Sequence, residues 1–123
     1  MSADPYSPKV RELFAKPRHG GDLANATVAE LAQQGIQIRL ALSEADGQIE
    51  SLRFQAYGCP HVIAACESFC RTFEGGPIAA LEGFRAADIM RELSVPVEKT
   101  GRILVLEDAV SLLGQKISGG AAS

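Results

Sequence analysis

Three cysteines, Cys59, Cys66 and Cys70, crowd into twelve positions of this chain and hold most of the chemistry it could offer. Cys59 lies between Gly58 and Pro60, where a strand gives way to a helix. Unpaired N–H groups and the helix dipole favour a thiolate at such a junction. A free thiol of pKa about 8.5 is only a few per cent ionised at pH 7, and lowering it by about one raises that share to roughly a quarter. Gly58 removes side-chain bulk beside the sulfur, and Pro60 fixes the helix entry. The same residues also suit an unreactive capping or packing cysteine, so both readings stand at this point.

Cys66 and Cys70 are four apart, a spacing that can hold a metal on one face of a helix. That face also carries Val62, Phe69 and Phe73, which equally fits buried cysteines acting as small hydrophobes. His61 falls opposite Cys70 on a helical wheel, so His61, Cys66 and Cys70 are weaker metal candidates than Cys59. His19, in the loop Arg18-His19-Gly20-Gly21-Asp22, could reach a ligand or simply be solvated. The acidic residues are scattered at polar positions and read as a solvated face. No Walker loop, dinucleotide glycine fingerprint or serine elbow is present, which removes the usual support for nucleotide and acyl-transfer enzymes.

The elements that must position these residues belong to a single expected domain, residues 1–123, because a chain of this length supports one core. Hydrophobic residues at 46% and charged residues at 22% match globular usage. The formal net charge of −3 builds no basic footprint for phosphates, so nucleic acid is not expected as a partner. Met1 to Pro8 lacks the pattern of a signal peptide, and no apolar run approaches the ~20 residues of a membrane span. A soluble, cytoplasmic protein with free thiols is expected.

Ser7-Pro8 opens a first helix, with Val10, Leu13 and Phe14 as its apolar stripe and Pro17 as its stop. The stretch from Ala26 to Gln34 reads either as a helix, from Thr27-x-x-Glu30, or as a short strand. Ile36, Ile38, Leu40 and Leu42 alternate as a strand with one buried face. Asp46-Gly47 turns the chain into a second strand with Leu52, Phe54 and Ala56 on one face. A helix follows from Pro60 to Gly75-Gly76-Pro77, then a helical piece from Ala86 to Leu93 and an extended Val95-Pro96-Val97 segment. The last helix, carrying Ile103, Leu106, Val110, Leu113 and Ile117, is expected to end before Gly119-Gly120 and leave a loose tail, 118–123. The fold class is α+β, a small antiparallel sheet with helices packed on one face.

Several motifs keep a shared order: Tyr6-x-x-x-Val10, Lys16-Pro17-Arg18-His19-Gly20-Gly21, Asp46-Gly47-x-Ile49, Phe54-x-x-Tyr57-Gly58-Cys59, Val95-Pro96-Val97-x-Lys99 and Leu104-x-x-Glu107-Asp108-Ala109-Val110. Together they resemble the iron–sulfur cluster scaffold family, the U-type proteins related to the N-terminal domain of the nitrogen-fixation scaffold, over about Tyr6 to Ile117. The resemblance implies a cluster held by three cysteines and an aspartate, sulfur received from a cysteine desulfurase, and transfer onward through chaperones. Cys59 matches the middle ligand. The place of the first ligand and the aspartate reads Ala32-Gln33-Gln34-Gly35 in a short loop, and that of the third reads Thr100-Gly101-Arg102. The family's chaperone-recognition run appears as Ser94-Val95-Pro96-Val97-Glu98-Lys99.

The resemblance therefore implies a non-enzymatic, scaffold-like protein of iron–sulfur cluster assembly that keeps one ligand cysteine. Cys59 is its sulfur acceptor or metal ligand, and Val95, Pro96, Val97 and Lys99 are its partner-binding residues. A cysteine desulfurase or another assembly protein is the implied partner, and iron or a cluster the implied cargo. The alternatives on the same fold are a non-catalytic interaction module and a zinc-binding protein.

Overall fold

A computed structural model of the chain describes residues 7–122, with side chains as far as Ile117. Its elements are α1 (Pro8–Ala15), β1 (Thr27–Gln33), β2 (Ile36–Ala45), β3 (Gln48–Tyr57), α2 (Pro60–Phe73), α3 (Ala86–Leu93) and α4 (Thr100–Ala122). Short 3-10 helices lie at Ile78–Gly83 and Val97–Lys99. Tyr6 of the motif series lies outside the described residues.

The three strands form one antiparallel sheet in the order β1-β2-β3. The Thr27 segment is thus a strand, which resolves the ambiguity left by its sequence. Pairing decides it: Ala29 sits opposite Leu40 and Leu31 opposite Ile38, so the segment completes a sheet face that β2 already presents. Leu40 in turn faces Phe54, and Leu42 faces Leu52. Both hairpins turn on two left-handed residues, Gln34-Gly35 (φ 53° and 76°) and Asp46-Gly47 (φ 54° and 78°), the arrangement whose twist matches paired strands.

Helices cover the apolar face. α2 packs on β3 and α4 lies across β1 and β2, while α1 and α3 pack against α2. Ile38, Leu40, Leu42 and Leu52 from the sheet join Val62, Phe69, Ile103, Leu106 and Leu113 in one buried cluster. Phe69 and Phe84 meet edge to face with ring centroids 5.1 Å apart, which ties α2 to the approach of α3. Ser7 caps α1 by accepting the Val10 N–H at 3.2 Å, and its hydroxyl donates to the Leu93 carbonyl at 2.7 Å.

The free edge of β3 is closed by other parts of the chain. The Phe54 N–H donates to the His19 carbonyl at 2.9 Å, and the Gly21 N–H donates to the Phe54 carbonyl at 2.8 Å. Lower down, the Leu52 N–H donates to the Glu74 carboxylate at 2.9 Å, and Ile49 exchanges bonds with Gly75 and Gly76. The Arg18 to Asp22 loop is therefore bound along an edge that would otherwise be open to pairing with another chain.

Three expectations need correction. Phe14 is 43% exposed while Val10 and Leu13 are buried, because the short α1 has room for a narrow stripe only. The Val95-Pro96-Val97 segment is extended at Pro96 but coils into a 3-10 helix from Val97. α4 stays helical through Gly119-Gly120 to Ala122, and Ser123 lies outside the described residues. Glycine costs a helix roughly 1 kcal/mol relative to alanine but does not forbid it, and no proline follows to force a stop. No helix among the described residues is long and apolar enough to cross a membrane.

Candidate functional site

Cys59 is placed by a strand, a glycine and a helix start. β3 ends at Tyr57, and Gly58 follows at φ +156°, where a Cβ would come within 2.7 Å of Ile36 Cδ1. A side chain there would strain the backbone at this φ and push the terminal methyl of Ile36 aside. Cys59 then takes the N-cap of α2 in an extended conformation with Pro60 behind it. Its carbonyl accepts the N–H of Val62 at 3.0 Å, starting the helix, while its half-buried sulfur closes no capping bond of its own.

The turn of β1 into β2 and the start of α4 meet beside this cysteine. Gln34 Oε1 lies 3.3 Å from where a Cβ on Gly101 would stand. The positive charge of the next residue, Arg102, bears on the Cys59 thiol. Burial alone would push this thiol up, but Arg102 and the N–H groups of Val62 and His61 outweigh it and leave Cys59 below the ordinary thiol value.

His61 is 1% exposed, on the side of α2 opposite Cys70, yet both are buried because α2 is packed on nearly every side. Burial, then the positive charges of Lys99 and Arg102, hold its imidazole below the ordinary histidine value. Cys66 and Cys70 are fully buried in the core, and burial pushes both thiols far up. Among the described residues no three His, Cys, Asp or Glu side chains converge where a metal ion could sit. Of the segment expected to meet partners, Val95 is buried in the core and Pro96 half-buried, whereas Val97 is 80% exposed and Lys99 partly so. Val95 therefore packs into the core, and the exposed part of the segment is Val97.

A second cluster of ionisable groups sits away from the cysteine. His19 Nδ1 lies 2.7 Å from Glu67 Oε2, and Nε2 lies 3.0 Å from Glu74 Oε1. Glu67, wholly buried, also accepts the His19 backbone N–H at 2.8 Å and Arg71 Nε at 2.7 Å. Arg53 Nη1 bonds Glu74 at 2.9 Å. His19 is therefore a clamped residue and not a solvated one, and Glu67 departs from the solvated face expected of the acids. Its position four residues before Arg71 was the available sign.

The family described as NifU-like N terminal domain matches residues 5–113. The iron-sulfur cluster assembly scaffold protein IscU of Escherichia coli (strain K12) is 28% identical over 113 residues, covering 85% of this chain and 88% of that protein. Iron sulfur cluster assembly protein 1, mitochondrial, of Eremothecium gossypii is 26% identical, with 85% and 73% covered. Among solved structures, the N-terminal part of a nitrogen-fixing NifU-like protein from Brucella abortus superposes with a TM-score of 0.66 at 15% identity, covering 92% of this chain and 97% of that one. A putative scaffold protein for the SUF system from Fervidobacterium islandicum AW-1 gives 0.61 at 16%, covering 96% and 97%. The motif order, the sheet capped by α2 and α4, and a match over nearly the whole length agree, and the chain belongs to the NifU-like N-terminal domain family of iron–sulfur cluster assembly scaffolds.

Proposed function

We propose that this chain serves iron–sulfur cluster assembly by receiving sulfur on Cys59 from a cysteine desulfurase. The observation that supports it is the setting of Cys59: a half-buried thiol at the N-cap of α2, held below the ordinary thiol value by the charge of Arg102 and the first N–H groups of the helix. A thiolate is the form that attacks sulfur. In the step, the Cys59 thiolate attacks the terminal sulfur of a persulfide on the donor enzyme. A new S–S bond forms at Cys59, the donor's S–S bond breaks, and the donor cysteine leaves as a thiolate with no net oxidation. Exposed Tyr57 and Val97, at 70% and 80%, offer apolar surface within two residues of Cys59 and Lys99 for the donor to cover. The chain in this role carries sulfur and turns over no substrate of its own.

Incubation with an active desulfurase and cysteine, read by intact mass, tests the proposal. One sulfur-mass increment is expected on the native chain and none on Cys59→Ser. Loading that persists in Cys59→Ser refutes the assignment. Binding of the desulfurase with no loading would instead favour a non-catalytic interaction module.

A further inference from the structure

The loop from Arg18 to Asp22 lies along the edge of β3 as a short strap, and His19 fastens it through both backbone and ring. Its carbonyl accepts the Phe54 N–H at 2.9 Å, and its backbone N–H donates to Glu67 Oε1 at 2.8 Å. Its ring reaches Glu67 Oε2 with Nδ1 at 2.7 Å and Glu74 Oε1 with Nε2 at 3.0 Å. Gly20 then bridges to Phe54 as a parallel strand would, and the Gly21 N–H donates to the Phe54 carbonyl at 2.8 Å.

The ring contacts fix a protonation state by geometry. An ionised carboxylate only accepts and a neutral imidazole carries one N–H, so carboxylate oxygens at both ring nitrogens need both nitrogens to donate. Both acids act as acceptors elsewhere too. Glu67 Oε2 takes the Arg71 Nε–H at 2.7 Å, and Glu74 Oε2 takes the Leu52 N–H and Arg53 Nη1, each at 2.9 Å. The strap is complete only while His19 is an imidazolium. Loss of one ring proton leaves a lone pair facing a carboxylate, which removes a charge-assisted bond and puts a repulsion in its place.

The rest of the cluster holds when that proton leaves. Glu67 and Arg71 come from α2, Glu74 from just beyond its end and Arg53 from β3, so without the imidazolium charge two arginines still balance two glutamates. The thiols of Cys66 and Cys70 share α2 with Glu67, and burial keeps both protonated. Within the strap Asp22 is bound to Arg39 and to the Leu23 N–H. Lys16 and Arg18 are exposed and bond no carboxylate among the described residues. His19 is therefore the group of this cluster whose charge changes near neutral pH.

We infer that His19 is a protonation-controlled fastener: charged, it holds the Arg18–Asp22 strap on the β3 edge, and neutral, it lets the strap lift and bare the N–H and C=O of Phe54. That edge runs on to Cys59, and an open strand edge is where another extended segment pairs. Because the arginine–glutamate pairs stay balanced, the strap lifts as a local opening while the sheet and helices remain folded. The direction with pH follows from which form closes it. The closed form binds the extra proton, so the strap is tightest on the acid side of the histidine range and loosens as pH rises through that range.

Amide hydrogen exchange of the full chain tests this, read residue by residue by NMR at about pH 6 and about pH 8.5 and corrected for the intrinsic rate at each. Protection of the Gly21 and Phe54 amides is expected to fall about tenfold between the two, with that of Leu40 in the central strand unchanged. His19→Gln keeps a donor but has no proton to lose in this range, so both amides should be poorly protected, and equally so at the two values. Nitrogen NMR shifts of the native ring need no variant. They should show both nitrogens protonated at about pH 6 and one proton lost over the interval in which protection falls. Unchanged protection in the native chain, or a singly protonated ring at about pH 6 with both amides protected, would overturn the inference. So would a parallel loss at Leu40, which makes the change global, or a pH dependence that survives in His19→Gln.

Discussion

Two histidines, both beside arginines, lie in regions built on opposite plans. At His19 every charge is answered: each ring nitrogen faces a carboxylate oxygen, and Glu67 and Glu74 are bonded further to Arg71, Arg53 and the Leu52 N–H. At Cys59 the charges of Lys99 and Arg102 bear on a buried histidine and that of Arg102 on the thiol, and among the described residues neither cation is paired with a carboxylate. A closed network of this kind holds a loop to a strand edge and has nothing left to offer a ligand. An open one is expensive in electrostatic terms and becomes comfortable when something anionic enters. The contrast distinguishes the two regions better than residue type does, since the closed region has the more conspicuous cluster.

The sharpest way to break the comparison is to open the closed network. Glu67→Gln keeps the shape of the side chain but removes the charge that His19 and Arg71 are paired with, inside the protein. We expect a loss of about 3 kcal/mol of unfolding free energy, because taking one partner from a buried ion pair strands the others. Glu74→Gln, at a site 29% exposed, should lose only about 1 kcal/mol. Urea denaturation measures both, and equal losses would mean that burial does not set the worth of this network.

Acid should act on the same region next. Burial raises the Glu67 carboxyl, yet the His19 amide and ring and the Arg71 guanidinium outweigh it and hold Glu67 below the usual carboxylate range. For Glu74, burial is likewise outweighed by the Leu52 N–H, His19 and Arg53. Both carboxyls are thus depressed in the folded chain. Their contribution is whole above the unfolded value of 4.5 and is lost as pH falls through the lower folded values. Melting temperature should therefore fall from about pH 4.5 downward, with a shallower fall in Glu67→Gln. Identical slopes in the two proteins would remove Glu67 from the account.

Much of the fold is legible in the sequence because period and punctuation agree. The β2 alternation, the Asp46-Gly47 turn, the Pro60 start and the Ala86 to Leu93 helix all stand where local chemistry places them. The Gln34-Gly35 turn was hidden because glutamine rarely takes a left-handed conformation, and so β1 stayed ambiguous. The junction that presents Cys59 could also be read, being Gly-Cys-Pro. Its neighbour could not, since Arg102 is forty-three positions away and becomes relevant only when α4 packs across the sheet. The His19 network is likewise a product of tertiary approach, 48 residues separating His19 from Glu67. Long-range charge pairing leaves no period along the chain.

The smallest effect expected is the one that best tests the open region. Cys59→Ser should change the unfolding free energy by less than about 1 kcal/mol, because two terms of similar size oppose each other. Replacing the half-buried sulfur by oxygen gives up some apolar contact, for Cys59 packs against the edge of the core cluster. Serine, however, is among the best N-cap residues, and its hydroxyl can accept from the first turn of α2, where the cysteine closes no capping bond. The extended backbone at φ −82° and ψ 164° already suits a capping serine. Urea denaturation of the native chain and the variant should give overlapping midpoints, while sulfur loading disappears entirely. A loss above about 2 kcal/mol would place Cys59 among the packing residues, alongside Cys66 and Cys70, and the two regions would then differ less than their charges suggest.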